Sequence, residues 1–286
     1  MAQPALQSLD HALAAAVAVA APSVVHVARG HGGGTGIVWA GDLVISSSFH
    51  TPDRTQIGIP TADGELDHRD AEVIGRDPGT DVALLRVTGG GLTPATFREL
   101  AGLGVGNLAL AIGRPGSTAR ASLRAIGVLG PEVTTPYGGR LDRYVESDRQ
   151  IPRGFAGGPL VDPDGAVIGM NTRTLLRGSD LAIPTVTLRR VVAELEQHGG
   201  IRKGYLGVGA YPSDTGALIA SVEAGSPGAT AGLIVGDVIT AVGGTAITGP
   251  EGLRGALADQ PGQAVTLALL RGGVAQQLTV TLGSRS

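Results

Sequence analysis

Few residue types in this chain could do chemistry. Asp81 follows the turn Asp77-Pro78-Gly79-Thr80, His50 follows the hydroxyls Ser46, Ser47 and Ser48, and a glycine-rich run reads Gly154-Phe155-Ala156-Gly157-Gly158-Pro159-Leu160-Val161. Carboxylate, imidazole and hydroxyl are the side chains used in nucleophilic acyl transfer. The glycine run can make a tight turn without a Cβ clash, yet Ala156 at its centre offers only a methyl. Taken alone, the run is an ordinary loop before a strand, Asp81 is a turn acid satisfied by local N–H groups, and His50 is a partly exposed loop histidine. Cysteine is absent, which excludes thiol catalysis and disulfides. The six histidines have no metal-ligand spacing, and His26 and His31, flanking a glycine loop, read as solvated. Neither a metal nor a cofactor is implied.

The elements that must hold these residues follow from length and patterning. A chain of 286 residues suggests about two domains with real cores. Its net charge is −3 and Lys203 is its single lysine, so no basic block exists to neutralise phosphates, which argues against nucleic acid as a partner. Leu6, Leu9, Leu13 and Val17 recur at helical spacing, with Ser8 or Asp10 placed to cap the start and Pro22 to stop it. The apolar run 12–21 is shorter than the roughly 20 residues that span a bilayer. It has the length of a signal core, but Asp10 and His11 precede it rather than Lys or Arg, so it reads as an amphipathic helix over 1–22.

Short apolar stretches then follow at 24–28, 36–39, 43–48, 55–60, 71–75 and 82–87, separated by Gly, Pro and Asp turns. That spacing predicts an all-β barrel or sandwich. Further strands are predicted at 122–129 and 141–147. Asp162-Pro163-Asp164-Gly165 makes the turn of a hairpin joining 158–161 to 166–172. Leu188, Val191, Val192 and Leu195 form one face of a helix over 188–198, which Gly199-Gly200 ends as a candidate domain boundary. Beyond it come strands at 217–222, 265–271 and 276–282 and a helix at 251–258.

Several of these stretches resemble one family, the HtrA (Deg) proteases. The run 154–161 is similar to the trypsin-like nucleophile loop Gly-Asn-Ser-Gly-Gly-Pro-Leu-Val, Asp77–Leu85 to the segment that supplies the triad aspartate, and 43–50 to an apolar strand ending in Thr-Asn-Asn-His-Val. Residues 105–115, 167–172 and 181–184 resemble Val-Gly-x-x-Val-x-Ala-Ile-Gly-Asn-Pro, Val-Ile-Gly-Ile-Asn-Thr and Phe-Ala-Ile-Pro. Gly204-Tyr205-Leu206-Gly207-Val208, the run 225–233 and Gly236-Asp237-Val238-Ile239 resemble a PDZ domain of the HtrA type. The resemblance covers residues 8 to 283. It implies a mainly β chain: a trypsin-like double six-stranded β-barrel over 23–198 (first barrel 23–90, second 104–184, then a helix), followed by a PDZ domain over 202–286.

It also implies a site in which two of three reacting side chains are replaced. Phe49 falls at the histidine position, Asp81 at the aspartate and Ala156 at the serine, while the backbone N–H groups of Gly154 and Ala156 would form the oxyanion hole. Phe49 would fill the space of the imidazole beside Asp81 and offer that carboxylate no partner. His50 lies one residue further on, and in an extended segment that slip turns a side chain to the opposite face. The stretch 173–180 would be the loop bordering the pocket for the residue before the scissile bond. In the PDZ domain, Tyr205, Leu206, Gly207 and Val208 would grip a peptide C-terminus, with Leu253 and Leu257 on the helix that flanks the groove.

The implied function is a catalytically inactive pseudo-protease. It would bind peptides, protein C-termini or unfolded proteins through the PDZ groove and the dead cleft. Two alternatives are a serine endopeptidase acting through His50 and an unrecognised nucleophile, and a regulatory subunit of active HtrA homologues. Ser46, Ser47 and Ser48 are hydroxyls near His50 but lack the oxyanion loop. The family implies a periplasmic or membrane-associated setting and a homo-oligomer, but its N-terminal segment often carries aromatics that mediate trimers, and here Trp39 is the first aromatic.

Overall fold

The alternation of apolar residues and turn residues that marks short strands closes twice on itself. The computed structural model describes residues 3–30, 32–176, 179–258 and 260–285, with no side chains described before residue 7. Two compact units result, Met1–Gly200 and Ile201–Ser286.

The first unit starts with helix α1 (Gln3–Ala20), which a 3-10 turn holding Pro22 ends. Ser8 and Asp10, expected as caps, lie inside this helix. The buried face also differs from the leucine stripe: Ala16 and Ala20 are buried, whereas Leu9 is exposed. Small side chains let the helix backbone come close to the turn Asp162-Pro163-Asp164-Gly165. A Cβ built on Gly165 would sit 2.8 Å from the Ala16 carbonyl.

Strands β1 (Val24–Arg29), β2 (Gly32–Val38), β3 (Leu43–Ser47), β4 (Arg54–Pro60), β5 (Leu66–Asp77) and β6 (Val82–Val87) close a barrel in the order β1-β2-β3-β6-β5-β4. Val25, Val27, Val38, Val44, Ile57 and Leu85 fill it, each worth about 1.5–3 kcal/mol of burial.

The second barrel uses β7 (Leu108–Gly113), β8 (Arg120–Gly130), β11 (Tyr144–Ser147), β12 (Pro159–Val161), β13 (Val167–Leu176) and β14 (Ser179–Pro184). Between β8 and β11 stands a small hairpin of β9 (Val133–Thr134) and β10 (Arg140–Leu141). The predicted strand 141–147 is therefore two pieces in different sheets. The expected loop 173–180 is instead the end of a β13–β14 hairpin, in which Leu176 pairs with Ser179; residues 177 and 178 lie outside the described residues.

The buried Arg114 guanidinium, at the end of β7, donates to the carbonyls of Val24, Ala21 and Ser117. It thereby ties the barrels together without leaving a buried donor unpaired. Helix α2 (Thr185–His198) buries Leu188, Val191, Val192 and Leu195, and Gly199 caps it at φ 70°.

In the second unit, β15 (Lys203–Tyr205) pairs with the last strand, β22 (Gly283–Arg285). β16 (Val208–Ser213), β17 (Gly216–Val222), β18 (Val238–Val242), β20 (Ala264–Arg271) and β21 (Val274–Thr281) form a sheet in the order β16-β17-β18-β20-β21, with β19 (Thr245–Ala246) on β18. Helices α3 (Pro227–Thr230) and α4 (Pro250–Ala258) complete it. Ile219, Ile239, Leu253, Leu257, Leu267 and Val280 are among its core.

Candidate functional site

Asp81 is placed by a local turn. The Asp77 carboxylate accepts from the Gly79 amide (2.9 Å) and the Thr80 hydroxyl (2.6 Å), which winds the chain so that Asp81 opens β6 at φ 59°. Among the described residues it is the one non-glycine with positive φ. Aspartate tolerates that region, and such backbone strain gathers at functional sites.

The Asp81 side chain is fully buried. Four donors among the described residues reach it: Ser47 Oγ (2.7 Å) and the Phe49 amide (3.0 Å) on Oδ1, and Thr172 Oγ1 (2.5 Å) and Thr174 Oγ1 (3.1 Å) on Oδ2. Burial raises its pKa above the ordinary carboxylate value, and these hydrogen bonds act the other way. The expectation of an unpartnered carboxylate is thus corrected. Hydroxyls more than 90 residues away in sequence satisfy it.

Phe49 is corrected as well. Its amide donates to Asp81, while the residue is 40% exposed and its ring packs on Tyr137, centroids 5.1 Å apart. Tyr137 stands in the loop between β9 and β10, and Thr135 at the base of that loop donates to the Gly79 carbonyl (2.7 Å). The same hairpin therefore supports both the aspartate turn and the Phe49 ring.

The segment after β3 is a turn, not the extended chain on which the face-slip argument depended. His50 N donates to Ser47 O (3.2 Å) and Thr51 Oγ1 to the same carbonyl (2.7 Å). Residues three apart in a turn share a side, and His50 Nδ1 lies 2.9 Å from Ser47 Oγ. Burial is the largest influence on this imidazole and lowers its pKa; the Asp81 charge opposes that, and Arg29 and Arg173 add to it.

The loop 154–158 lies against β2 and β3. At Gly157, φ 84°, a Cβ would stand 2.3 Å from the Thr35 carbonyl, 2.6 Å from Ser46 Oγ and 2.8 Å from the Ser47 amide, so only glycine fits. Thr35 Oγ1 donates to Gly154 O (2.6 Å) and Gly157 N to Asn171 O (2.8 Å). Phe155 is buried in the second-barrel core, its ring in the space a Cβ on Gly113 would need. With these contacts fixing the loop, the amides of Gly154 and Ala156 have no acceptor among the described residues. Two free N–H groups on one tight loop can hold an anionic oxygen. The Ala156 methyl on this loop cannot attack a carbonyl. A broad open depression of about 820 Å³ lined by Arg54, Asp70, Glu72 and Arg86 lies on the first barrel and includes none of these residues.

In the second unit, β16 is an edge strand, paired on one side with β17. The loop leading into it turns at Gly207, φ 75°, where a Cβ would meet the Ser226 side chain at 2.2 Å. The amides of Leu206 and Gly207 have no acceptor among the described residues, while their carbonyls accept from Gly228 and Glu223. Free amides beside an open edge are what an added peptide strand ending in a carboxylate needs. Tyr205 pairs its hydroxyl with Glu223, and Arg285 lies 5.5 Å from its ring.

The model of the trypsin-like peptidase domain matches residues 34–170 and that of the PDZ domain residues 204–282. A probable periplasmic serine endoprotease, DegP-like, of Chlamydia muridarum is 32% identical over 270 residues, 87% of this chain and 53% of that protein. Its counterpart in Bartonella henselae is 33% identical over 275 residues, 88% of this chain and 53% of that one. The chain belongs to the HtrA family. Among solved structures, the HtrA-type protease AlgW with tripeptide is 26% identical with a TM-score of 0.70, covering 96% of this chain and 97% of that one. The serine endoprotease from Yersinia pestis is 25% identical with a TM-score of 0.73, covering 96% and 98%. The chain spans about half the length of the curated relatives it matches.

Within this HtrA framework the sequence-read residues divide. Asp81, the Phe49 amide and the 154–158 loop converge through Ser46, Ser47 and Thr172. Leu253 and Leu257, expected to flank the groove, are buried in the core of the PDZ unit; so is Leu206. His26, read as solvated, has Nδ1 3.1 Å from the Arg114 carbonyl, and His31 lies outside the described residues. Sequence reasoning missed Thr172, Thr174, Thr35 and Tyr137. The Asn171-Thr172 pair was visible in the strand motif, but nothing in its spacing pointed to Asp81.

Proposed function

We propose that this HtrA-type chain is a non-cleaving binding protein. It takes peptides, protein C-termini or unfolded proteins at the edge of β16 and in the cleft formed by residues 154–158. The observation that carries this reading is Ala156, a methyl where the family's nucleophile hydroxyl would be, on a loop whose Gly154 and Ala156 amides have no acceptor among the described residues. Phe49, at the family's histidine position, supports it. The amides can still hold an extended peptide's carbonyl, and nothing then breaks the bond. The names of the relatives suggest a periplasmic setting; no described helix is long and apolar enough to cross a membrane.

The test pairs degradation of an unfolded protein with peptide binding. The unmodified chain should leave the substrate intact, while Phe49→His with Ala156→Ser should cut it. Peptides with a free C-terminus should bind more tightly than amidated ones. Cutting by the unmodified chain, or equal binding of blocked peptides, would overturn the cleft or the PDZ half respectively. A second reading, an endopeptidase of HtrA type, draws on one observation, the contact of His50 with Ser47 beside Asp81. A covalent organophosphonate adduct on the unmodified chain would establish it.

A further inference from the structure

We propose that the proton acceptor of this cleft is His50, held to Asp81 through the Ser47 hydroxyl. The cleft then lacks one reacting side chain, a hydroxyl at residue 156, and not two. This rests on the HtrA-type reading of the cleft and adds a role that the family position of Phe49 would deny.

The hydrogen-bond directions follow from counting protons. Asp81 Oδ1 takes the Phe49 N–H at 3.0 Å, so it acts as an acceptor, and Ser47 Oγ at 2.7 Å donates its one proton there. Ser47 Oγ then has only lone pairs left for His50 Nδ1 at 2.9 Å. Nδ1 must carry the proton in that contact, which leaves Nε2 bare in the neutral ring. Ser47 is a positioning residue: it selects the tautomer and passes the Asp81 charge to the ring.

The turn makes this arrangement. Thr51 Oγ1 pins the Ser47 carbonyl at 2.7 Å, and Phe49 swings out onto Tyr137. His50 is thereby brought round beside Ser47. The 154–158 loop borders Ser47 as well, since the Cβ position of Gly157 is 2.8 Å from the Ser47 amide. The charged groups facing the imidazole are Asp81, Arg29 and Arg173; the two arginines and burial favour the neutral, proton-accepting ring, and Asp81 opposes them.

Ala156→Ser in the full chain, treated with a fluorophosphonate, tests this. Serine Oγ would form a bond to phosphorus, the P–F bond would break, fluoride would leave, and the hydroxyl proton would pass to His50 Nε2. Expected is time-dependent labelling of residue 156, detected by mass, without any change at Phe49. Its rate should fall in acid as Nε2 takes a proton, with a midpoint below about 6.5. Adding His50→Gln should slow it by about 10²–10⁴-fold, and adding Ser47→Ala should slow it and move the midpoint. Nitrogen NMR of the unmodified chain should show the neutral ring protonated on Nδ1.

Three results would each overturn the proposal: no labelling of Ala156→Ser, an unchanged rate with His50→Gln, or a neutral ring protonated on Nε2. Labelling of the unmodified chain would instead sink the non-cleaving reading, and loss of that label with His50→Gln would still support His50.

Discussion

Two loops of this chain present backbone amides that have no acceptor among the described residues, and they depend on their surroundings in opposite ways. The loop 154–158 offers the N–H groups of Gly154 and Ala156, and the loop before β16 those of Leu206 and Gly207. Each is held by a glycine at positive φ in a place where no Cβ fits, Gly157 and Gly207. Acyl transfer at the first loop would also need side chains, drawn from β3 and the turn after it and from the start of β6. Gripping a peptide end at the second needs little beyond the amides and the open edge of β16. A grip made by backbone amides does not depend on which side chains a loop carries, whereas acyl transfer does.

Disturbing one loop should leave the other untouched, and the largest expected effect is on the first. Phe155→Ala removes the buried ring that anchors the loop in the second-barrel core. It should cost about 3–5 kcal/mol in denaturant unfolding of the first unit, with peptide affinity unchanged. A parallel loss of peptide affinity would break the comparison.

Gly207→Ala strains a positive φ and drives a methyl into Ser226. It should weaken free-C-terminus peptides by at least about tenfold, about 1.4 kcal/mol, in fluorescence anisotropy, without moving the unfolding of the barrels. Ser226→Ala removes the acceptor for the Ala229 amide at the start of α3. A stability loss of about 1 kcal/mol confined to the PDZ unit is expected, and an intact peptide affinity would show that Gly207 acts through the loop and not through α3.

The smallest effect is in pH. His50 has a lowered pKa in the folded chain because burial disfavours its cation. As pH falls through about 6.5 the unfolded chain takes the proton first. The stability that His50 contributes is present above that pH and is lost below it. The first unit should therefore lose stability in mild acid, and His50→Gln should lack that part of the slope in denaturant titrations at several pH values.

Much of the scaffold was legible in the sequence because its signals are local. Turn residues delimited the six strands of the first barrel to within a few positions, and the Leu188–Leu195 face with Gly199 marked α2. The failures have local causes too. The β9–β10 hairpin pairs only two residues on each strand, too few to show any period. Helix α1 starts before its polar candidates and buries alanines, because the close approach of the Gly165 turn leaves no room for leucine. At 48–50 an extended strand was expected where the chain makes a turn, so the argument that set His50 on the opposite face from Phe49 lost its premise.

The sequence by itself determined which side chains are present, since a methyl at residue 156 and the lack of cysteine need no coordinates. It also determined the order of barrels and PDZ domain, since strand spacing and motif order are properties of the chain. Only the tertiary structure decided which of these groups meet. Asp81 meets Thr172 and Thr174, 91 and 93 residues away, and Ser47 stands between Asp81 and His50. Hydrogen bonds of this kind depend on tenths of an ångström between distant strands, and barrel closure sets those distances.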